Sequence, residues 1–536
     1  MTKWFWPLIM LIFSQSLFAG NLVKHSFNST GDALEVSWTI GKQLLSITES
    51  ENQGPMVFSN IELSGWSNTK TVGLPSLPFK SVLLKGYPSD FQAELSAKKV
   101  FELDRVAPSP AQEMPCRCDV IPWKFNVDFS EEAYNAENRE HVFIEYIGKF
   151  RGTPITRVRF SPLAYNNKAG LRFVDIGSVI IRSKSKIRKF TMSSKGKGYY
   201  IFAPSKFKEA LAPLLARRRS EGLDAKFMSL EKLGTDFEEI KNSIHNLYKA
   251  SKFTYALIIG HEEIFPTEYV ETRFDGSTPT DMHYYTMDGE DDVIPDVLYG
   301  RLSVDTSEEL EKVILKTLEF EDRSWKSSKG ASRMIAIASD EGSAPSDVDY
   351  VRSMQAPMKD KFNWISSEFL QYNNNSTPEN IVSKISDGSI WLNYIGHGSG
   401  FSWPSINSEE FTTQHLQDLT AGAVKPIVID VACQNGRYSN EGRMGETFIR
   451  GGDSAGINGA VAYYGGSVDI SWDPPAVMAI GISKALGENN NRRLIDVIWQ
   501  GQLYLLENYD DREGALENFV WYHLQGDPLL NLSKLK

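Results

Sequence analysis

Cysteine and histidine are scarce in this chain of 536 residues: there are 3 Cys and 8 His. Three cysteines cannot make a disulfide scaffold, so packing must carry the stability, and the odd count leaves at least one thiol unpaired within the chain. Basic charge is short as well. Lys and Arg number 57 against 68 Asp and Glu, for a net charge of −11. That balance excludes a general nucleic-acid binder, whose surface must neutralise phosphates. After the first twenty residues no stretch is long and apolar enough to cross a bilayer. Tandem repeats and low-complexity tracts are absent. What is present is ordinary globular material, 41% hydrophobic and 23% charged, in a chain too long for one compact core. Two or three domains are expected.

The N-terminus has the pattern of an export signal. Lys3 supplies a positive start, Trp4 to Phe13 is almost wholly apolar, and Phe18-Ala19-Gly20 offers a small-residue cleavage point. The stretch is short for a membrane span, and no basic cluster follows it as an uncleaved anchor would require. We therefore expect a signal peptide over 1–19, a secreted protein (periplasm or medium), and no transmembrane anchor after signal cleavage.

The texture then changes twice. Residues 20–185 carry short β-branched and aromatic runs such as Val36 to Ile40, Lys80 to Leu84, His141 to Ile147 and Val174 to Ile181, punctuated by Pro, Gly, Asn and Asp. This is the pattern of an all-β domain. Residues 186–198 form a basic linker within a longer run (Arg182, Lys184, Lys186, Arg188, Lys189, Lys195, Lys197) that contains no acid. Such a run is a solvated joint and a site for proteolytic nicking. From 199 to 536 strands and helices alternate. Apolar strands are expected at Tyr199 to Phe202, Ala225 to Met228, Tyr255 to Ile259, Met334 to Ala338, Ile390 to Tyr394, Ile427 to Val431 and Ala460 to Tyr464. Capping boxes at Thr235 to Glu238 and Thr306 to Glu309 open amphipathic helices. The alternation implies an α/β domain with a mostly parallel sheet and helices on both faces, whose ligand crevice lies beyond the carboxyl ends of the strands.

Two strand ends carry chemistry. Trp391 to Ile395 runs into Gly396-His397-Gly398, and Ile427 to Val431 runs into Ala432-Cys433-Gln434-Asn435-Gly436. The glycines let backbone approach a ligand and free N–H groups for an oxyanion. A spacing of 36 residues between His397 and Cys433 suits adjacent parallel strands that bring thiol and imidazole to one sheet edge, the minimal nucleophile and base pair. Either residue alone reads as a core cysteine or a satisfied histidine; together at successive strand ends they read as a site. Cys116 and Cys118 have one residue between them, poor geometry for mutual pairing and an incomplete zinc pattern, so they read as structural or redox-labile. A rival motif, Gly452-Asp453-Ser454-Ala455-Gly456, fits a serine elbow. Its context is inverted, because a helical stretch precedes it and a strand follows, and it stands as a minor esterase alternative. A second alternative is an exported binding or assembly protein that keeps a peptidase fold.

At these residues the chain resembles the gingipain-type cysteine peptidases. The resemblance rests on Asn393 to Ser399 and Asp430 to Gly436, and continues in Val297 to Arg301, Ile337 to Gly342, Ser471-Trp472 and Gly526-Asp527-Pro528. Gly73 to Pro78 is similar to the family's N-terminal propeptide. The resemblance implies a caspase-like fold behind an all-β prodomain, and a cysteine endopeptidase made as a latent precursor. It makes Cys433 the nucleophile and His397 the acid that protonates the leaving amine. The N–H groups of Gly398 and Cys433 become the oxyanion hole. Glu341 becomes the acid that orients the histidine; the alternative is a loop carboxylate. Asp347 resembles the carboxylate that selects Arg or Lys before the scissile bond, and Trp472 the aromatic wall of that pocket; the alternatives are a helix cap and a core tryptophan. The chain is several residues shorter between Glu341 and Asp347 than arginine-specific members. Asp292 and Asp296, within the run Asp288, Glu290, Asp291, Asp292 and Asp296, match metal-ligand positions, so a structural calcium is implied where a solvated acidic loop is the alternative. The chemistry itself requires no cofactor. The expected partners are protein or peptide substrates and the chain's own prodomain as intramolecular inhibitor, with no nucleic acid.

Overall fold

The computed structural model describes residues 23–50, 57–104, 106–119, 129–136, 140–191, 196–274, 276–342, 345–407, 409–452, 457–488, 493–533 and 535. The expected signal peptide lies outside these residues.

The N-terminal part is antiparallel β structure. Strands Val23–Phe27, Ala33–Thr39, Gly170–Ser183 and Leu163–Asn166 form one sheet, extended by Phe91–Leu103 along Gly170–Ser183. Strands Ser67–Asn68, Pro78–Lys85, Thr153–Phe160 and Val142–Phe150 form a second. Their inward faces share one core that includes Leu34, Val36, Trp38, Val82, Val158 and Val179. The alternation of buried and half-buried positions in Ala33–Thr39 is that of a strand with one face on the core. Phe91–Leu103 escaped the sequence pattern because its many Lys and Glu side chains face water.

The C-terminal part is built on one sheet of ten strands: β1 (Gly198–Ala203), β2 (Asp224–Ser229), β3 (Tyr255–Ile259), β4 (Leu298–Leu302), β5 (Arg333–Ala338), β6 (Ile365–Leu370), β7 (Trp391–Ile395), β8 (Ile427–Val431), β9 (Ala462–Gly466) and β10 (Tyr522–Gln525). The spatial order is β2-β1-β3-β4-β10-β9-β8-β7-β5-β6. Every ladder is parallel except β9 with β10. The sheet is therefore two parallel blocks of opposite direction joined at one antiparallel seam. Helices 307–322 and 444–450 pack on each other, and helices 347–362, 474–488 and 494–508 pack as a second group, so both faces are covered. The central strands β7 and β8 are buried at all five positions each, which is why they read as unbroken apolar runs. The helix over Ser307–Asp322 starts where expected, with Thr306 Oγ1 accepting from the Glu309 N–H. The helix over Phe237–Ser251 starts one residue later than the sequence box placed it: Asp236 caps it, and Glu239 reaches back to Thr235.

The two parts share a core. Leu83, Ile147, Phe150, Ile155 and Phe190 of the N-terminal part belong to the apolar cluster of the large sheet, and the Phe150 ring lies 5.4 Å from that of Trp499. The basic segment expected to be a solvated joint is partly built in. Ile187 and Phe190 are buried, and Phe190 N–H donates to Leu83 C=O; two apolar residues among the lysines decide this. Arg157 joins the parts most directly. It is fully buried, and its guanidinium donates to the carbonyls of Leu506 (2.8 Å), Tyr509 (2.5 Å) and Asp510 (2.6 Å) at the end of helix 494–508 and to Glu145 (2.8 Å). Those carbonyls have no intrahelical partners, so the arginine is their cap. Arg157→Ala is expected to destabilise the full chain by about 3 kcal/mol, because buried carbonyls are left unpaired. An unchanged urea midpoint would contradict this.

Candidate active site

The site is assembled at the carboxyl ends of β5, β7, β8 and β9. β7 and β8 are neighbours in register, Ile395 opposite Val431. His397 and Cys433 each follow two residues later, so the 36-residue spacing puts them side by side. Contact between the two loops is tight. A Cβ on Gly398 would lie 2.4 Å from the Cys433 carbonyl oxygen and 2.9 Å from the Cys433 nitrogen, so only glycine fits there. Gln434, directly after the cysteine, has φ 60, a strained conformation for a side-chain-bearing residue that turns the chain sharply at Cys433. It is held by its N–H to Val468 C=O (3.0 Å) and its amide to Asp469 (2.9 Å). Beneath the loops, buried Asp430 accepts from Trp403 (3.1 Å), Asn435 (3.0 Å) and Tyr463, and Asn435 accepts from the Gly400 N–H (2.9 Å). One carboxylate thereby fixes both loops; burial pushes its pKa up to about 6 against those hydrogen bonds.

His397 Nε2 is 2.6 Å from Glu341 Oε2, which follows β5. The Glu341 contact raises the imidazole above its ordinary value, against the effect of partial burial, and a hydrogen bond with the Arg117 main chain adds to it. The His397 main-chain N–H donates to Ser405 (3.0 Å) and its carbonyl accepts from Tyr394 (2.6 Å), so the loop is fixed from both sides. Cys433 is the free thiol and is fully buried; its sulfur accepts from Ile470 N–H at 3.4 Å.

Next to this pair lies a pocket, and it is filled. Arg117 of the N-terminal part is fully buried and makes a bidentate pair with Asp347, both N···O distances being 2.9 Å. It donates twice more to the Trp472 carbonyl (3.2 and 2.9 Å) and lies over the Trp472 ring, 4.3 Å from its centroid. The same ring meets His397 edge-on at 6.0 Å. Asp347 is not the cap of helix 347–362: Ser346 takes that place, and Asp347 turns inward, where Ser339 also donates to it (2.7 Å). Ser339 in turn accepts from the Glu341 N–H (3.2 Å), so one hydroxyl ties the pocket carboxylate to the loop that orients the histidine. The main chain of 115–117 runs antiparallel to 470–472: Arg117 N–H donates to Ile470 C=O (2.9 Å) and Trp472 N–H to Pro115 C=O (3.0 Å). This is how an extended peptide adds to a strand edge.

Arg117 escaped the sequence reading, which weighed the flanking cysteines and passed over the arginine between them. Cys116 and Cys118 are disulfide-bonded with their Cα atoms 5.0 Å apart, contrary to the sequence expectation. The turn at Arg117 and Cys118 brings the two Cβ atoms to one side, within the ordinary range for the bond. Ser339 and Asn435 stood inside quoted motifs without an assigned role. Ser454 lies outside the described residues; helix Met444–Arg450 precedes it and β9 follows, the reverse of a serine elbow.

Asp292 and Asp296 converge elsewhere, with Asp288; the three carboxylates lie within 4.8 Å of one another. Burial raises Asp296 to about 7. Main-chain N–H groups already bond this set, including those of Arg151 and Gly152 from the N-terminal part. The donor set is hard oxygen, as calcium requires.

Burial pushes the Cys433 thiol up to about 12, so the full-length chain holds it protonated at neutral pH. Alkylation by iodoacetamide at pH 8 should therefore run roughly 10³-fold slower than that of a free cysteine. Labelling at the free-thiol rate would show that the sulfur is open to solvent.

The family model of peptidase family C25 matches residues 193–533. Gingipain R2 of Porphyromonas gingivalis is 23% identical over 554 residues, covering 91% of this chain and 73% of that protein. Gingipain R1 of the same organism is 23% identical over 515 residues, covering 86% and 50%, and Lys-gingipain W83 is 22% identical over 559 residues, covering 90% and 31%. The chain thus spans half or less of the latter two. Among solved structures, the Arg-specific cysteine proteinase gingipain R superposes with a TM-score of 0.57 at 24% identity, over 64% of this chain and 79% of that one. The complex of the RgpB pro- and mature domains from P. gingivalis gives 0.56 at 23%, over 63% and 80%. These two share the fold. With its matched region containing β5, β7, β8 and β9 and every loop they carry, the chain belongs to peptidase family C25, the gingipain-type cysteine endopeptidases.

Proposed function

We propose that this protein is an exported cysteine endopeptidase, made as a latent precursor, that cleaves protein or peptide chains after arginine. One observation carries the reading: the chain's own Arg117 sits in a pocket beside Cys433 and His397 in the manner of a bound substrate residue. In the proposed reaction Cys433 passes its thiol proton to His397 and its sulfur attacks the carbonyl carbon before the scissile bond. His397, held by Glu341, gives a proton to the leaving amine, and the N–H groups of Gly398 and Cys433 hold the oxyanion. A water then releases the acyl group.

Arginine is favoured over lysine by geometry. The guanidinium offers parallel N–H groups to both Asp347 oxygens, further donors to the Trp472 carbonyl, and a flat face to the indole; an ammonium offers a point charge. The N-terminal β region acts as intramolecular inhibitor by filling this pocket. Activation would cut the basic joint beyond the built-in segment that ends at Phe190. Export rests on the pattern from Lys3 to Gly20; among the described residues no helix is long and apolar enough to cross a membrane. Asp288, Asp292 and Asp296 would hold a structural calcium, away from the chemistry.

On peptides that differ only before the scissile bond, kcat/KM after Arg should exceed that after Lys by at least about tenfold. Asp347→Asn should lower the Arg value by roughly 10²-fold or more. Equal cleavage after Arg and Lys would reject the specificity, and hydrolysis surviving in Cys433→Ala would reject the nucleophile. Millimolar calcium should raise the unfolding temperature of the full chain, and Asp296→Asn should abolish the rise; no shift in the unsubstituted chain would dismiss the ion.

A further inference from the structure

The residue in the pocket is flanked by a covalent ring. Cys116 and Cys118 are bonded to each other across Arg117, so both sides of the Arg117–Cys118 peptide bond are linked twice, once through the amide and once through sulfur. The segment before that bond is laid out as substrate: Arg117 N–H and the Pro115 carbonyl pair with Ile470 and Trp472. The segment after it folds back. Cys118 N–H points to the Cys116 sulfur (3.0 Å), Asp119 N–H donates to the Cys116 carbonyl (3.2 Å), and the Asp119 carboxylate accepts from the Cys116 N–H (2.9 Å). Cys116 is buried whereas Cys118 is an exposed residue, so a thiol from solution approaches the bridge from the Cys118 side.

We propose that Arg117–Cys118 is a processing site within the chain itself, kept uncut by the Cys116–Cys118 bridge and opened when a dithiol reduces that bridge. The inference rests on Cys433 and His397 being a peptidase centre. While the bridge is intact, attack by the Cys433 sulfur breaks the Arg117–Cys118 C–N bond without freeing anything. The new Cys118 amine stays tied through its own sulfur to Cys116, next to the acyl carbon, and reacts with it again far faster than water does, because an amine held in place has a very large effective concentration. Reduction removes that tether: the dithiol gives two hydrogens to the bridge, becomes a disulfide, and leaves two cysteine thiols. Attack, with the Cys433 thiol proton passing to His397, then forms the Arg117 thioester on Cys433. Cys118 departs as an amine carrying a proton from His397, and water cleaves the thioester to give the Arg117 carboxylate and the regenerated thiol. The Cys118 end swings away, and the fold-back that closed the far side of the site is lost. An exported protein meets oxidising surroundings in which the bridge persists, so latency lasts until a dithiol, small or carried on an oxidoreductase, reaches Cys118.

The test uses the purified full chain, oxidised, with and without dithiothreitol, and reads the new N-terminus at Cys118 by mass spectrometry. Reduction should speed that cleavage by at least about 100-fold. The double variant Cys116→Ser/Cys118→Ser should be cut there without reductant, and Cys433→Ala should remain intact under every condition. An Arg117→Ala chain, whose pocket is empty, tests the peptidase reading separately on an arginyl amide. If that chain hydrolyses the amide while neither the reduced protein nor the double variant is cut after Arg117, the gate is wrong and the peptidase stands. Cleavage at equal rate with and without reductant, or in Cys433→Ala, also overturns the gate. An Arg117→Ala chain inert towards the amide overturns both.

Discussion

Taking a guanidinium and a carboxylate out of water costs several kcal/mol per ion, so the Arg117–Asp347 pair persists only because its surroundings replace the lost solvation. Two parallel hydrogen bonds join the ions, the Trp472 carbonyl takes two further guanidinium donors, the indole covers the flat face, and Ser339 donates to the carboxylate. The supporting groups come from two different strand ends, so the pair is satisfied only when the loops after β5 and β9 and the N-terminal segment are all in place. A buried pair of this kind contributes little net stability. What it does is specify a single arrangement, because any other leaves a charge stranded.

The direction of the strands explains why the chemistry gathers at one edge. The reversal at the β9–β10 seam sends the carboxyl ends of β1 to β4 to one side and those of β5 to β9 to the other. Histidine, cysteine, orienting acid, pocket acid and pocket wall all follow strands of the second block. Burial of the sulfur and Glu341's hold on the imidazole both favour the protonated form: the thiol keeps its proton and the histidine is kept basic. The closed chain thus stores both groups in place, with the sulfur held as its thiol beside the imidazole.

Much of this was legible in the sequence. Buried parallel strands announce themselves as apolar runs, and β3 and β8 coincide with the runs that predicted them; the ends of β7 and β9 moved by only one or two residues. His397 and Cys433 stood out because glycine beside a reactive side chain at a strand end is unusual. Strand β6, with Ser-Ser-Glu in its middle, and the four-residue β10 lacked an apolar run long enough to register. Arg117 was invisible for a physical reason: its meaning comes wholly from residues 230 and 355 positions away, and nothing local marks an arginine as buried. The Cys116–Cys118 pair was misjudged because spacing alone does not tell which way two side chains point in a turn.

The shared core of the two parts has its own consequence. Phe150 rests on Trp499, and Arg157 satisfies the carbonyls at the end of helix 494–508. These contacts are of the kind that hold a single domain together, and none of them depends on the connecting strand of polypeptide. Scission and departure are therefore separate events: a nicked molecule would travel as one particle, its two pieces parting only where something else wets the exposed indole and takes over the orphaned oxygens.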